Sequence, residues 1–580
     1  MINQKLAHLF YQLAIFLEMD EAQFKPRAYE RVAQEIEAME EDLGEIYERG
    51  GRQGLKQISG IGEGIADKIE EFIKTGKIKE LETLKRKIPV DIEALSRLEG
   101  VGPKTIKTLF KKLKIKNLEE LEKAARARKI RKLEHFGIKS EENILSAIDF
   151  AKQDQGRFLL GYILPQAREL RNKLAKLKDI KRVEIAGSLR RMKETIGDLD
   201  ILAVTDNPRK VIEFFVSLPS VIKIYGQGDT KANVRLDWGI DADLRVVPEE
   251  SFGAAWQYFT GSKEHNVALR KIAIEQGYKL NEYGVFKLNE KRKTKNEKNL
   301  VVGKKEESVY KFLGLQAIPP EARENIGEIE LAQKGKFPKL IEDKDVLGDL
   351  QMHSTWSDGA YSIEEMARAA KKLGREYIAI TDHAGRLAIA GGMKEGGLLK
   401  QMKEIDIINK KISGIKILKG AEVDIDKEGK LHIKDEVLAK LDVCLGSIHD
   451  NFKMNKEAMT ERVCRAMENP HLDIWAHPSG RLLLRREGYE VDWDKIFKKA
   501  VATGTAIEIN AFPERLDLSW QNVKKAVAMG VKLTIGTDSH AAQQLDFLYL
   551  GVAVARRGWA KKSDVLNTLD WKELLKHFKK

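Results

Sequence analysis

Residues 187–200 read GSLRRMKETIGDLD, and no other stretch constrains the fold as strongly. A glycine-led turn is followed by two acids spaced for a strand. With a strand opening at Gly197, Asp198 and Asp200 project from one face, while Leu199 and Ile201 point into a core. Two carboxylates on one face suit a hard cation such as Mg²⁺, which binds few protein oxygens and leaves positions open for phosphates. A second apolar strand, ADLRVVP at 242–248, carries Asp243 and Arg245 on one face. Laid beside the first strand it supplies a third carboxylate, and three carboxylates suit two metals. Asp241 shares that face and competes for the role. At the turn, Gly187 and Ser188 offer backbone N–H groups and a hydroxyl, and Arg191 offers a guanidinium fork, all to phosphate oxygens. A lone DxD pair is ordinarily a solvated strand end; the combination points to phosphoryl transfer.

The chain also contains YFTGS at 258–262, with Asn266 and Arg270 following. A GS turn, an Arg pair, GDxD, a DxR strand and YFTGS together resemble the family X DNA polymerases. The resemblance implies that Asp198, Asp200 and Asp243 ligate Mg²⁺, with Asp243 also accepting the proton of the primer 3′-hydroxyl. It implies that Gly187, Ser188, Arg191 and Gly197 surround an incoming deoxynucleoside triphosphate. Tyr258, Phe259, Thr260 and Gly261 would lie against its sugar, and Asn266 and Arg270 would face the minor groove of the nascent pair. Lys263 stands where animal relatives have an acid, so the added positive charge is expected to strengthen nucleotide binding even without DNA.

From DLQMHSTWSDG at 349–359 to SH at 539–540, His, Asp and Glu residues fall at the ends of apolar runs. They are His353, Asp358, His383, Glu422, His449, His477, Asp538 and His540. The runs YIAI, IKIL, VCLG, DIWA, AIEIN and VKLTIG alternate with helix-length amphipathic segments, the pattern of a parallel β/α barrel. Such barrels place chemistry at the carboxyl ends of their strands, so these side chains would converge on one mouth. Imidazole with carboxylate suits Zn²⁺, Mn²⁺ or Fe²⁺. A single histidine is usually just hydrogen-bonded; the series is not explained that way. It resembles the polymerase and histidinol phosphatase (PHP) domain, which implies a distorted barrel holding Mn²⁺ or Zn²⁺ and hydrolysing phosphoesters. That family begins HxH, whereas here Gln351 precedes His353, so one metal position has an amide in place of an imidazole. His432 and His471 lack the strand-end placement and read as structural. Fused to a polymerase, such a domain is expected to act on DNA as a 3′–5′ exonuclease, a 3′-end phosphatase or phosphodiesterase, or an abasic-site endonuclease.

Two glycine hairpins, SGIGEG at 59–64 and EGVGPK at 99–104, each lead into an amphipathic helix. They look like helix-hairpin-helix motifs. Gly60, Gly62, Gly64, Gly100 and Gly102 permit tight turns whose helix N-termini face a DNA phosphate without reading sequence. Lys104 and Lys107 open a lysine-rich helix on the DNA side. In animal repair members of the family a lysine of the first hairpin's helix forms a Schiff base with an abasic sugar. Lys68 matches that position, with Glu80 where a further lysine is expected. Sugar-lyase chemistry and phosphate binding by Lys68 are the two alternatives.

The net charge of +13 favours a polyanionic partner. Two cysteines make no disulfide framework and fit a reducing cytoplasm. No signal peptide and no apolar run long enough for a membrane span are present. The expected organisation is multidomain: a helical lyase-like module at 1–85 and a helical fingers-like module at 86–150. An α+β nucleotidyltransferase palm follows at 151–240, its third acid on the adjoining strand at 243. The remainder divides into palm strand and thumb at 241–318, a charged, proline-punctuated linker at 319–345, and a distorted β/α barrel at 346–580. The expected protein is a cytoplasmic monomer that fills short gaps in primed DNA during base excision repair and trims DNA ends at a second site. Two alternatives stand beside it: a polymerase with a scaffolding barrel, and a non-catalytic gap-binding protein.

Overall fold

The computed structural model describes residues 2–578 apart from 21–24, 38, 40, 59, 97, 99–100, 154–155, 289–299 and 386–391. The amino-terminal part is helical. Its first helix, Ile2–Met19, buries Leu6, Phe10, Leu13 and Leu17 along one stripe, the three-and-four spacing of an amphipathic helix. Gly62 and Gly102, both extended, cap the helices Glu63–Thr75 and Pro103–Leu113.

The palm is a five-stranded sheet of β1 (Ile180–Ile185), β2 (Asp198–Thr205), β3 (Val221–Gln227), β4 (Lys231–Leu236) and β5 (Asp241–Val246), in the order β1-β2-β5-β4-β3. The β2–β5 pair is parallel and the others are antiparallel. Leu199, Ile201 and Ala203 face a core shared with the helices Leu160–Ala175 and Pro208–Val216, while Leu202 and Val204 face Phe252 and Ala255. The thumb adds the helices Phe252–Thr260 and Lys263–Glu275 and an antiparallel sheet of β6 (Tyr278–Asn281), β7 (Gly284–Lys287) and β8 (Leu300–Val302).

Residues 319–345, expected as a linker, are instead packed on the thumb. Ile329, Ala332, Phe337 and Leu340 are buried with Leu269, Val285 and Tyr310. Glu328 is fully buried, paired with His265 at 2.7 Å. Charge and proline outnumber apolar residues in this stretch, but nearly all of the few apolar ones point inward, which composition alone cannot reveal.

The carboxy-terminal domain is a parallel barrel: β9 (Gly348–Asp349), β10 (Tyr377–Ile380), β11 (Lys416–Asp424), β12 (Val443–Ser447), β13 (Ile474–Trp475), β14 (Ala506–Asn510) and β15 (Leu533–Gly536), neighbours in chain order. His383–Ala384 pairs with β11 as a further short strand. The seam is closed by a parallel bridge between Met352 and Ser539, with His353 N donating to Ser539 O at 2.8 Å and Asp538 N to Gln351 O at 2.9 Å. Palm and barrel share one core. A Cβ on Gly161 would lie 2.7 Å from Pro513 and 2.9 Å from Leu550, so only glycine lets the palm helix approach the barrel this closely.

Candidate active sites

The register of β2 and β5 pairs Asp198 with Asp241 and Asp200 with Asp243. The sequence therefore places acids side by side on adjacent strands, while the alternate residues Leu199 and Ala242 are fully buried. Ala186 N donates to Asp200 O at 2.9 Å and ties the phosphate turn to this strand. Gly187 has φ +63°, and any side chain there would run into the Asp200 carboxylate. Burial, then the neighbouring charges of Asp198 and Asp243, push the Asp200 carboxyl up to about 7. Burial also raises Asp243, partly offset by the hydrogen bond it accepts from Asn233 Nδ2. Crowded like charges of this kind are relieved by a cation.

Asp241 is engaged differently. Arg235 grips it with Nε and Nη2 at 2.5 and 3.0 Å. A cavity of about 730 Å³ opens over the acids, lined by Ser188, Gly197, Asp198, Asn233, Asp241, Asp243, Tyr225, Arg157 and Lys193. The Ser188 hydroxyl is buried and has no hydrogen-bond partner among the described residues, the condition of a donor aimed at something else. Arg157 and Asn233 carry no signal in the sequence, because they lie outside the short motif and reach the cavity through the fold, whereas Lys193 sits within the motif and reads there as an ordinary surface lysine.

The other expected nucleotide contacts are held within the protein. Arg191 donates from Nε to Glu324 at 3.4 Å and from Nη1 to the Thr260 carbonyl. Its neighbour Arg190 bonds both oxygens of Glu306 at 2.8 and 2.6 Å and Thr260 Oγ1 at 2.6 Å. Burial alone would raise Glu306, but Arg323 and Arg190 bring it down to about 2. Asn266 donates to the Tyr258 carbonyl at 2.6 Å and accepts from Gln257 at 2.7 Å. Arg270 Nε donates to the Asn266 carbonyl at 3.3 Å. Phe259 lies under Arg245, 4.7 Å from its ring centre. Lys263 is exposed at the start of its helix, and Gly261, with φ +73°, sits beside Arg191.

In the hairpins, Gly60 has φ +79°, and Gly62 and Gly64 have open space where a side chain would lie. Gly102 is equally open, Lys104 is exposed and Lys107 is half-buried. Gly100 lies outside the described residues. Lys68 faces Glu80 at 2.8 Å.

In the barrel, side chains from the ends of six strands meet around Glu422. Three overlapping groups have ligand atoms within 4.8 Å of one another: His353, Asp358, His383 and His540; His383, Glu422 and His449; His353, Glu422 and Asp538. His477 Nε2 lies 2.7 Å from Glu422 Oε1. His353 Nδ1 and His383 Nδ1 are buried without hydrogen-bond partners among the described residues, and imidazoles gathered this closely with carboxylates form a donor set that fits borderline divalent cations. Burial would lower His353, but the hydrogen bond it donates to Asp538 and the charges of Asp538, Glu422 and Asp358 lift it to about 9. Burial takes His383 down to about 4. His449 rises to about 9, because its bonds to Asp424 and Glu422 outweigh burial. Gln351 donates from Nε2 to Glu422 Oε2 at 3.1 Å and accepts from Asn510 at 3.3 Å. His432 and His471 stay outside these groups.

Asp424, Asn510 and Arg515 belong to this centre and were missed. Asp424 holds His449 Nδ1 at 2.8 Å. It follows Glu422 by two on β11, the same-face spacing that identified Asp198 and Asp200, so the signal was present. Arg515 Nε is 3.3 Å from Asp538 and comes from an irregular loop whose spacing carried no signal.

A carboxylate-bearing palm joined to a helical hairpin module and a histidine-rich barrel defines an enzyme with a nucleotidyl-transfer centre and a phosphoesterase centre. Residues 255–324 match the DNA polymerase beta thumb profile, 349–511 the PHP domain, 1–78 a helix-hairpin-helix domain, and 52–114 and 92–149 a SAM-like helix-hairpin-helix tandem. The chain is 39% identical over 577 residues to the DNA polymerase/3′-5′ exonuclease PolX of Bacillus subtilis (strain 168), covering 99% of both chains. It belongs to the family X DNA polymerases that carry a C-terminal PHP domain. A probable phosphatase of Thermoanaerobacter sp. (strain X514) is 35% identical over 231 residues, 38% of this chain and 89% of the relative. A ternary complex of Leishmania infantum polymerase beta matches 40% of this chain and 97% of its own at 26% identity, with a TM-score of 0.27, too poor a superposition to bear on the fold. Both domains imply dependence on divalent metals. No helix among the described residues is long and apolar enough to cross a membrane.

Proposed function

We propose that this chain is a DNA-directed DNA polymerase that fills short gaps during base excision repair, and that its barrel is a 3′–5′ exonuclease that trims or cleans the DNA end. The observation carrying the reading is the register that sets Asp200 beside Asp243 beneath the orphaned Ser188 hydroxyl. Asp198, Asp200 and Asp243 hold Mg²⁺; His353, Asp358, His383, Glu422, His449, His477, Asp538 and His540 hold Mn²⁺ or Zn²⁺. When bound, these ions supply Lewis acidity and charge neutralisation at both centres.

The chain's own groups do the rest. Asp243, its carboxyl raised by burial and one oxygen pinned by Asn233, takes the proton of the primer 3′-hydroxyl, which a weakly acidic carboxylate does better than a strongly ionised one. Ser188, Lys193 and Arg157 grip the triphosphate from the cavity wall, and Arg191 joins them after leaving Glu324. Tyr258 to Gly261 support the sugar, Asn266 and Arg270 turn toward the base pair, and Lys263 adds charge. In the barrel, Arg515 steadies the phosphodiester beside Asp538. The hairpin glycines, Lys104 and Lys107 hold gapped or primed DNA by its backbone, a grip that weakens steeply with salt. The protein works as a cytoplasmic monomer. Tethering raises the concentration of a blocked end near the phosphoesterase.

A second reading, a polymerase whose barrel is a scaffold, draws on Gln351 at the place of an imidazole. A time course on one-nucleotide gapped DNA with normal and blocked 3′ ends separates the readings. Asp200→Ala should lose incorporation and keep end trimming; His353→Ala should do the reverse. A wild-type protein that extends but never trims establishes the scaffold reading, and one that does neither overturns both.

A further inference from the structure

We propose that Arg557, a barrel residue, is a positioning residue of the polymerase centre: it keeps Glu324 occupied so that Arg191 can leave that carboxylate for a triphosphate. The proposal rests on the polymerase reading above.

Arg557 ends the helix Leu548–Arg557 and is 1% exposed. Its Nη1 donates to the Arg191 carbonyl at 2.7 Å and its Nη2 to Glu324 Oε1 at 3.0 Å. The same Oε1 receives Arg191 Nε at the longer 3.4 Å. Two guanidiniums thus share one nearly buried oxygen, and the barrel's guanidinium is the closer. A buried carboxylate stripped of its cation is costly, so Glu324 resists the departure of Arg191 unless another charge stays behind. Arg557 is that charge. It also fixes the backbone of Arg191, so the side chain can swing while its root stays in place.

A second barrel arginine supports the same view. Arg481 Nη2 bonds Glu194 Oε1 at 2.7 Å, and Glu194 lies between the phosphate turn and the strand of acids. The barrel therefore grips the GSLRRMKETIGDLD segment at two points. Simple adhesion between domains is the competing explanation, and it makes a different prediction: adhesive ion pairs affect stability, and neutralising Glu324 would weaken them further.

Steady-state gap filling by the full chain separates the two. Arg557→Gln should raise the KM for nucleotide about tenfold, the order of a charge-assisted hydrogen bond, with kcat within about twofold and end trimming by the barrel unaltered. Adding Glu324→Gln should return KM to the wild-type value, because a neutral amide no longer detains Arg191. An unchanged KM in Arg557→Gln, or a double variant no better than the single one, overturns the proposal. Should Arg557→Gln fail to fold by circular dichroism, Glu324→Gln alone decides: KM at or below wild type supports the role, and a raised KM overturns it. Asp200→Ala run alongside distinguishes the two levels. If wild type incorporates and Asp200→Ala does not, a flat KM in Arg557→Gln defeats this proposal alone. If wild type fails to incorporate, the polymerase reading falls and takes the proposal with it.

Discussion

Lys68 Nζ lies 2.8 Å from Glu80 Oε2 and 5.7 Å from the centre of the Tyr29 ring, so the lysine at the position of the family's abasic-sugar nucleophile is an ion-paired ammonium. Burial alone would lower its pKa, but hydrogen bonds to Glu80 and Tyr29 and their charges raise it above the ordinary 10.5. At pH 7.5 fewer than about one amine in a thousand is neutral, and a Schiff base needs the neutral amine. Borohydride should trap no adduct between this protein and abasic DNA; an adduct mapped to Lys68 would show that the pair opens on DNA. Because Glu80 already offsets its charge, Lys68→Ala should weaken DNA binding less than Lys104→Ala, as read by fluorescence anisotropy at two salt concentrations.

Asp200 ties activity to a pH-dependent cost in stability. Its folded carboxyl titrates at about 7 against 3.8 in a free side chain. Between those values the folded protein holds a proton that the unfolded chain has released, so stability falls as pH rises through the window. With EDTA at pH 8, Asp200→Asn should therefore melt above wild type, and at pH 4 the two should coincide. With Mg²⁺ the same variant should lose incorporation by about 10³-fold or more. Equal melting at pH 8 would mean that neither burial nor the neighbouring carboxylates disfavour a charged Asp200.

Asp241 and Asp243 occupy one strand face, yet their partners assign them different work. Asp241 is held in the Arg235 fork, whereas Asp243 is beside Asp200. Asp243→Asn should abolish incorporation. Asp241→Asn should keep most of it and leave stability little changed, since the ion pair it breaks is exposed. The reverse order of activities in a single-turnover assay would exchange the two assignments.

Gln351 offers an experiment on metal content. Its amide lies between Glu422 and Asn510, next to the group formed by His353, Glu422 and Asp538. An imidazole there would add a stronger donor. After identical dialysis, Gln351→His should retain more Mn²⁺ or Zn²⁺ per chain by mass spectrometry than wild type. Equal retention would show that the amide is not at a ligand position.

Periodicity made the strands legible, both in the palm, where Leu199 and Ile201 alternate with the acids, and in the barrel, where YIAI and VCLG run as continuous apolar segments buried on both sides. Acids and histidines at strand ends were legible for the same reason: strand direction fixes where they emerge. What stayed hidden was everything that depends on distant packing. Glu324 and Arg557 are far apart in sequence; the segment packed on the thumb brings the first to Arg191, and the docked barrel brings the second. The stretch around Glu328 misled because its polar residues are satisfied internally, by His265 and by backbone N–H groups, which composition does not record.

The bridge from Met352 to Ser539 places His353 at one margin of the barrel and Asp538 at the other. A translation product cut short inside β15 would thus retain all three palm acids and lose both Asp538 and His540. It would lose the helix Leu548–Arg557 as well, so a single nonsense codon late in the message would strip the barrel of two candidate ligands and deprive the palm of the guanidinium that shares Glu324 with Arg191.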